Sequence, residues 1–179
     1  MDNRELFAEL MGKCFSQNEL QKVIDFAENL GFFEAPASVH HHGNKTGGLF
    51  EHSLKVTECL LELTEKLNLK WERERSPFVV GMFHDLCKCD NYVEDFSMTE
   101  TKEWFYNNNS ILPGHGEKSI IMLQQLFPLT DEEIACIRWH MGAFDDKSNW
   151  NIYGRACEKY PNVLYTHTAD MMAAHIYMI

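Results

Sequence analysis

Residues 76–85 read SPFVVGMFHD, and this segment predicts the centre of the fold. A serine cap with proline at the first helical position is typical of a helix start, and the following residues are almost all apolar. The segment therefore predicts a buried central helix that carries His84 and Asp85 near its C-terminal end. Burial of a carboxylate costs free energy unless a partner or a metal ion offsets the lost hydration. The alternative is a water-exposed Asp85 beside a core histidine.

Helical patterns continue on both sides of this segment. Ser16 with Glu19, and Thr130 with Glu133, form capping boxes, in which side chains satisfy the free N–H groups of a helix start. Apolar residues at helical spacing follow both boxes. The pattern predicts further helices over residues 3–13, 16–31, 48–69, 116–127, 130–140 and from about 161 towards the C-terminus. The predicted fold class is an all-α helical bundle.

Residues 87–113 are the least regular part of the sequence. They contain residue types that favour strands, namely Tyr92, Val93, Phe96, Trp104, Phe105 and Tyr106. Three consecutive asparagines at 107–109 are typical of a turn. The sequence predicts that a small hairpin, or a flap over an active site, lies at about residues 90–110.

Size and composition indicate an ordinary globular protein. A chain of 179 residues can bury one core, so we predict a single domain over residues 1–179. No apolar run approaches the roughly 18 residues of a membrane span, and the N-terminal residues do not resemble a signal peptide. We therefore expect a cytoplasmic protein without membrane contact, in which the six cysteines are reduced thiols.

The formal net charge of −11 disfavours extended nucleic-acid binding, which needs a clustered basic surface. Small anionic substrates are compatible with this charge because bound divalent metal ions can dominate the local field. The nine histidines are more informative, since imidazole is the commonest ligand for transition metals. Their spacing along the predicted helices therefore indicates whether they can form a metal site.

Four histidines and two aspartates lie on separate predicted helices or at helix ends. His52 falls within a well-patterned amphipathic helix, and Asp170 lies among apolar residues of the last helix. The remaining members are His84, Asp85, His115 and His140. Such residues are the usual ligands of divalent metals, and an ordered set of six is a stronger signal than the His-Asp dipeptide alone.

This pattern resembles the HD-domain metal-dependent phosphohydrolase superfamily, in which the order is His … His-Asp … Asp. The match is to His52, His84-Asp85 and Asp170, and the extra histidines His115 and His140 resemble the form that holds two metals. Residues 42–53 also resemble the HD domain of certain bacterial 3′–5′ exoribonucleases. The likeness does not extend to RNA binding, because the sequence lacks their separate nucleic-acid-binding domain.

The resemblance implies one metal ion held by His52, His84, Asp85 and Asp170. A second ion would use Asp85 as a bridge together with His115 and His140. Imidazole-rich sites favour Fe, Mn, Ni, Co or Zn over Ca or Mg, so we expect one or two divalent transition metal ions. Asp85 is the natural bridge because each of its two oxygens can bind a cation.

Two further residues are candidates for contact with a small phosphate substrate. Lys88 follows the pair at the spacing His-Asp-x-x-Lys, where the family often has a lysine; it would hold phosphate or orient Asp85. The alternative is a solvated surface lysine. His42 precedes the first metal helix and is our candidate among three adjacent histidines for contact with phosphate or a leaving group. His167 and His175 are interpreted as structural.

The resemblance favours hydrolysis of a small phosphate ester, a phosphomonoester or phosphodiester such as a nucleotide, by metal-activated water. Asp85 and Lys88 would be catalytic. Two other functions remain open from the sequence. One is a di-iron oxygenase, because some proteins with this fold and ligand set resemble oxygenases that cleave C–C or C–P bonds. The other is a non-catalytic nucleotide-binding module, although an intact ligand set disfavours a decayed site.

Overall fold

Helices make up most of the chain in the computed structural model, which describes residues 2–39, 44–95 and 103–179. The helices are α1 (Asn3–Met11), α2 (Gln17–Asn29), α3 (Gly48–Leu67), α4 (Ser76–Phe83), α5 (Lys88–Asn91), α6 (Gly116–Leu123), α7 (Asp131–Trp139), α8 (Trp150–Lys159) and α9 (Asn162–His175). Two strands, β1 (Tyr92–Asp95) and β2 (Glu103–Tyr106), form an antiparallel pair. The predicted all-α class with a small hairpin near residues 90–110 is confirmed.

Capping boxes account for the starts of α1, α2 and α7. The backbone N–H of Ser16 donates to the Glu19 carboxylate, and that of Thr130 donates to Glu133 at 2.8 Å, as capping boxes require. The predicted cap of α4 is wrong by one residue, because Arg75 occupies the N-cap position and Ser76 is already helical. The Ser76 hydroxyl instead donates to the buried Glu133 carboxylate at 2.8 Å, so a tertiary contact takes the place of the cap.

Several helices end earlier than the sequence predicts, and one element was not predicted. Helix α6 ends at Leu123 rather than near Phe127, and the residue before Pro128 is disfavoured in a helix. Helix α3 ends at Leu67 because Asn68 adopts a left-handed conformation with φ +52°. Helix α8 was not predicted. Among the described residues, none of the helices is both long and apolar enough to cross a membrane.

Helix α4 lies at the centre, as its apolar sequence predicts, and it packs against α3, α7 and α9. The backbones of α3 and α4 approach so closely that a Cβ at position 81 would lie 2.7 Å from Thr57 Cα. Phe83 of α4 and Phe50 of α3 belong to one phenylalanine cluster, whose rings meet mostly edge to face: Phe7, Phe32, Phe33, Phe50 and Phe83. This packing fixes the end of α4, where His84 and Asp85 follow.

Replacing Gly81 with alanine should therefore destabilise the protein, because the added methyl group forces α3 and α4 apart. We expect a loss of roughly 1–3 kcal/mol in the free energy of unfolding, as for other overpacked cores. Gly154→Ala is the matched control, because its Cβ would meet no atom within 4 Å. That change should stabilise α8 by about 0.5–1 kcal/mol. Urea denaturation measures the free energy of unfolding of both variants. Equal stability of the two variants would contradict the close approach of α3 and α4.

Candidate metal centre

The fold brings the six predicted ligands to one place from five helices. His52 comes from α3, and His84 and Asp85 follow directly on α4. The other three are His115 at the start of α6, His140 at the end of α7, and Asp170 within α9. Three groups of these side chains, one of which includes Cys87, have ligand atoms within 4.8 Å of one another. His and Asp side chains that could bind a metal ion therefore converge in the structure.

Asp85 lies between two sets of imidazoles. Its Oδ2 atom is 3.5 Å from His84 Nε2 and 3.8 Å from His52 Nε2. Its Oδ1 atom is 2.7 Å from His115 Nε2 and 3.4 Å from His140 Nε2. Asp170 completes the first set, because its Oδ1 atom lies 3.1 Å from His52 Nε2. Each oxygen of Asp85 therefore faces its own pair of imidazoles.

The histidine rings are oriented by backbone carbonyl groups. Nδ1 of His84 lies 2.8 Å from the Gly81 carbonyl, and Nδ1 of His140 lies 2.7 Å from the Ile137 carbonyl. Since a carbonyl can only accept, these Nδ1 atoms carry the proton and the Nε2 atoms of neutral rings present lone pairs. Both Nε2 atoms are buried without a hydrogen-bond partner among the described residues. This is the arrangement in which imidazole binds metal ions.

The ring of His52 is held in the same way, with Nδ1 3.1 Å from the Ile179 carbonyl. His115 differs, because its Nδ1 atom lies 3.6 Å from the buried Cys87 thiol. Its position depends on Gly116, since a Cβ there would lie 2.6 Å from the Arg138 carbonyl of α7. The small residue lets α6 start against the end of α7, and this contact brings His115 close to His140.

Burial and charge act in opposite directions on these groups. Burial lowers the pKa of His84 to about 4, so its ring is neutral at physiological pH and its Nε2 lone pair is available. Burial alone would raise the pKa of Asp85, but Lys88, His84 and His115 hold it well below its ordinary value. Burial opposes protonation of His115 too, yet the Asp85 carboxylate raises its pKa to about 10. The protonated ring of His115 is therefore a cation beside Asp85 at neutral pH.

The sequence is compatible with two interpretations of Lys88, a residue that contacts phosphate or Asp85 and a solvated surface lysine. Its Nζ atom lies 2.6 Å from Asp85 Oδ2, and its side chain is mostly buried, so it is not a solvated surface lysine. Burial acts to lower its pKa, but the Asp85 carboxylate raises it above the ordinary value, which keeps the amine protonated. Lys88 therefore contributes a fixed positive charge beside Asp85.

A cavity of about 580 Å³ opens onto this cluster. Its floor is polar and includes His52, Asp85, Lys88, His115 and Asp170. Its walls are largely apolar or aromatic, from Tyr92, Tyr106, Met141, Phe144, Met171 and Met178. A charged floor beneath apolar walls suits a ligand that has one anionic end and one organic end.

Several lining residues were not identified from the sequence as part of a site. Phe144 and Met178 reach the cavity from a 3-10 turn and from the segment after α9, and no local pattern marks either one. His175, interpreted as structural, also lines the cavity one turn after Met171. His167 contacts the backbone of one candidate ligand, because its Nδ1 atom lies 2.7 Å from the His140 carbonyl. The predicted substrate residue His42 lies outside the described residues.

Comparison with known proteins gives one informative match. The chain is 32% identical over 88 residues to the dihydroneopterin 2′,3′-cyclic phosphate phosphodiesterase of Methanocaldococcus jannaschii. This alignment covers 41% of the chain and 35% of the relative, so the chain spans about a third of that protein. No protein-family model and no solved structure matches the chain. A distant relative of the chain is therefore a phosphodiesterase, and this supports a phosphoesterase role.

Proposed function

We propose that this chain is a metal-dependent phosphohydrolase of the HD-domain type that acts on a small phosphate ester such as a nucleotide. One observation carries the proposal. Buried Nε2 lone pairs, oriented by backbone carbonyl groups, converge with two carboxylates beneath an open cavity. Lys88 and the protonated His115 offset the charge of Asp85, but the buried Nε2 atoms of His84 and His140 have no hydrogen-bond partner among the described residues, and this favours a metal site over a structural cluster. The phosphodiesterase relative supports the reaction class.

The proposal assigns the residues to two ions. His52, His84, Asp85 and Asp170 would hold one divalent transition metal, and Asp85, His115 and His140 would hold a second. The separate imidazole pairs on the two oxygens of Asp85 support this division. If only one ion binds, His115 and His140 would act in substrate binding or proton transfer instead. Imidazole donors favour Fe, Mn, Ni, Co or Zn.

A metal ion bound here would polarise water and offset the negative charge that develops on a phosphoryl group. The chain itself supplies position and charge. Asp85 and Lys88 form an ion pair at the floor of the cavity, so the ammonium group of Lys88 can shift by a short distance to a phosphoryl oxygen. The apolar walls would hold the organic part of the ester and limit access of bulk water. The proposed partner is thus a small phosphate ester rather than a nucleic-acid chain.

The proposal is tested by elemental analysis of purified protein, followed by assays with 2′,3′-cyclic nucleotides, nucleoside monophosphates and bis(p-nitrophenyl) phosphate. We expect one or two transition metal ions per chain and hydrolysis of at least one of these esters. With ¹⁸O-labelled water, the label should appear in the product phosphate. Metal-loaded protein that hydrolyses none of them would contradict the proposal. Product oxygen derived from O₂ would favour the oxygenase, and nucleotide binding by metal-free protein would favour a binding module.

A further inference from the structure

The hairpin presents two tyrosines to the cavity. Tyr92 and Tyr106 lie directly opposite each other in the antiparallel register, and their ring centroids are 5.5 Å apart. Both residues line the cavity that opens onto the metal centre. The neighbouring pair, Val93 and Phe105, points to the other face of the hairpin because side chains alternate along a strand. The hairpin therefore has one tyrosine face towards the cavity.

We infer that the Tyr92–Tyr106 pair selects phosphate esters whose organic group is a planar ring, and that Lys118 holds the pair in position. This inference rests on the proposed function and deepens it. The two phenol rings are tilted 55° to each other, and each offers a polarisable face on which a heterocyclic ring can stack. With phosphate held at the floor near Lys88, the ring would contact this wall. Esters with a small aliphatic group would not reach it.

Lys118 anchors the hairpin at its base. Its side chain is only 1% exposed, and its Nζ atom lies 2.7 Å from Asn91 Oδ1 and 2.6 Å from Ser110 Oγ. The same ammonium group is 2.5 Å from Asp90 Oδ2. One buried cation thus joins α6 to the chain on both sides of the hairpin. Such a cation stays buried only because these partners replace its hydration.

A second set of contacts closes the base of the hairpin. The Asn107 amide donates to the Asp90 carbonyl at 2.8 Å, and the Asn107 backbone N–H donates to the Asn91 carbonyl at 2.8 Å. Ser110 also donates to Asp90 Oδ2 at 2.9 Å. Isolated two-stranded hairpins are only marginally stable in water. The polar base therefore fixes where the strands point, and Lys118 acts on the substrate only through the tyrosines.

Steady-state kinetics with a matched substrate pair tests the inference. Adenosine 2′,3′-cyclic phosphate and glycerol 1,2-cyclic phosphate share the five-membered cyclic ester, but only the first has a ring base. The ratio of their kcat/KM values should fall about 10-fold in the Tyr92→Leu/Tyr106→Leu variant, on the order of the loss of one stacking contact. Phe105→Leu removes an aromatic ring from the other face and should leave the ratio as in the wild type. A ratio unchanged in the double variant, or lowered equally by Phe105→Leu, would overturn the inference.

Lys118→Met should lower the same ratio through KM for the adenosine ester, with a smaller effect on kcat. Ser110→Ala removes one of the contacts to Lys118 and provides a milder variant if Lys118→Met does not fold. Lys66→Met, on the exposed surface of α3, is the control and should leave the ratio as in the wild type. If Ser110→Ala and a folded Lys118→Met both keep the wild-type ratio, Lys118 does not position the tyrosines.

Equilibrium binding separates this inference from the proposed function. By calorimetry, wild-type protein should bind adenosine monophosphate at least about 10-fold more tightly than inorganic phosphate, and the double tyrosine variant should lose this preference. If the preference exists but no ester is hydrolysed, the ring site stands and the proposed reaction is wrong. If the wild type binds both ligands equally, the ring site is wrong whatever the protein hydrolyses.

Discussion

Asp85→Ala is expected to lose its bound metal and its phosphoesterase activity together. Asp85 is the residue whose two oxygens face separate imidazole pairs, so its removal takes a ligand from both proposed ions. Loss of an outer hydrogen-bonding partner of a metal ligand typically costs 10- to 100-fold in metal affinity or activity. Loss of a shared ligand should cost more, and we expect a decrease in kcat/KM of at least about 10³-fold.

Metal content by elemental analysis and turnover of the best ester are measured on the same preparation. Circular dichroism checks the fold, because Lys88 loses its carboxylate partner in this variant. Asp85→Asn preserves the shape of the side chain and serves as a second variant in case alanine does not fold. Asp25→Ala, on the exposed face of α2, is the control and should retain metal and activity. A folded Asp85→Ala protein with wild-type turnover would refute the role of Asp85.

Removal of the metal with a chelator should abolish hydrolysis and lower the melting temperature. Three groups of side chains each place their ligand atoms within 4.8 Å of one another, and a metal ion would bind these preformed groups only in the folded state. A ligand at about 1,000 times its Kd stabilises the folded state by about 4 kcal/mol. For a chain of this size, that corresponds to roughly 8–16 °C in Tm.

Stepwise reconstitution gives the metal preference. Mn, Fe, Co, Ni or Zn should restore both Tm and turnover, whereas Ca should restore neither, because imidazole nitrogen suits transition metals and calcium requires oxygen ligands. The Tm of the Asp85→Ala variant should change little when chelator is added or when transition metal ions are added. Full activity in excess chelator, with an unchanged Tm, would mean that hydrolysis does not depend on a metal ion in this cluster.

The helices could be predicted largely from local sequence. The capping boxes at Ser16 and Thr130 act over three residues, and the apolar run of α4 needs a buried position whatever the neighbouring helices are. Local signals failed where a tertiary contact competes with them. Ser76 bonds Glu133 rather than capping α4. Helix α8 was not predicted although Tyr153, Ala156 and Cys157 recur at helical spacing and pack against the core, because no capping side chain marks its start.

The candidate site also has features that the sequence predicts and features that only the tertiary structure shows. The identities of the six candidate ligands follow from the sequence, because His and Asp beside apolar helical patterns are unusual and match a known order. The contacts around these ligands do not follow from the sequence. Cys87 beside His115, the carbonyl groups that orient the rings, and the position of the tyrosines all depend on helix ends that are distant in sequence.

The sequence by itself determined the helical class and the chemical types of the candidate ligands, since both depend only on residue type and short-range spacing. Tertiary structure alone decided which oxygen of Asp85 faces which imidazole, and that Lys118 contacts the base of the hairpin whose tyrosines line the cavity. The physical reason is the sequence separation over which each kind of interaction acts. Helix propensity and capping act within one or two turns, whereas ligand geometry is set by packing between helices that can be more than a hundred residues apart.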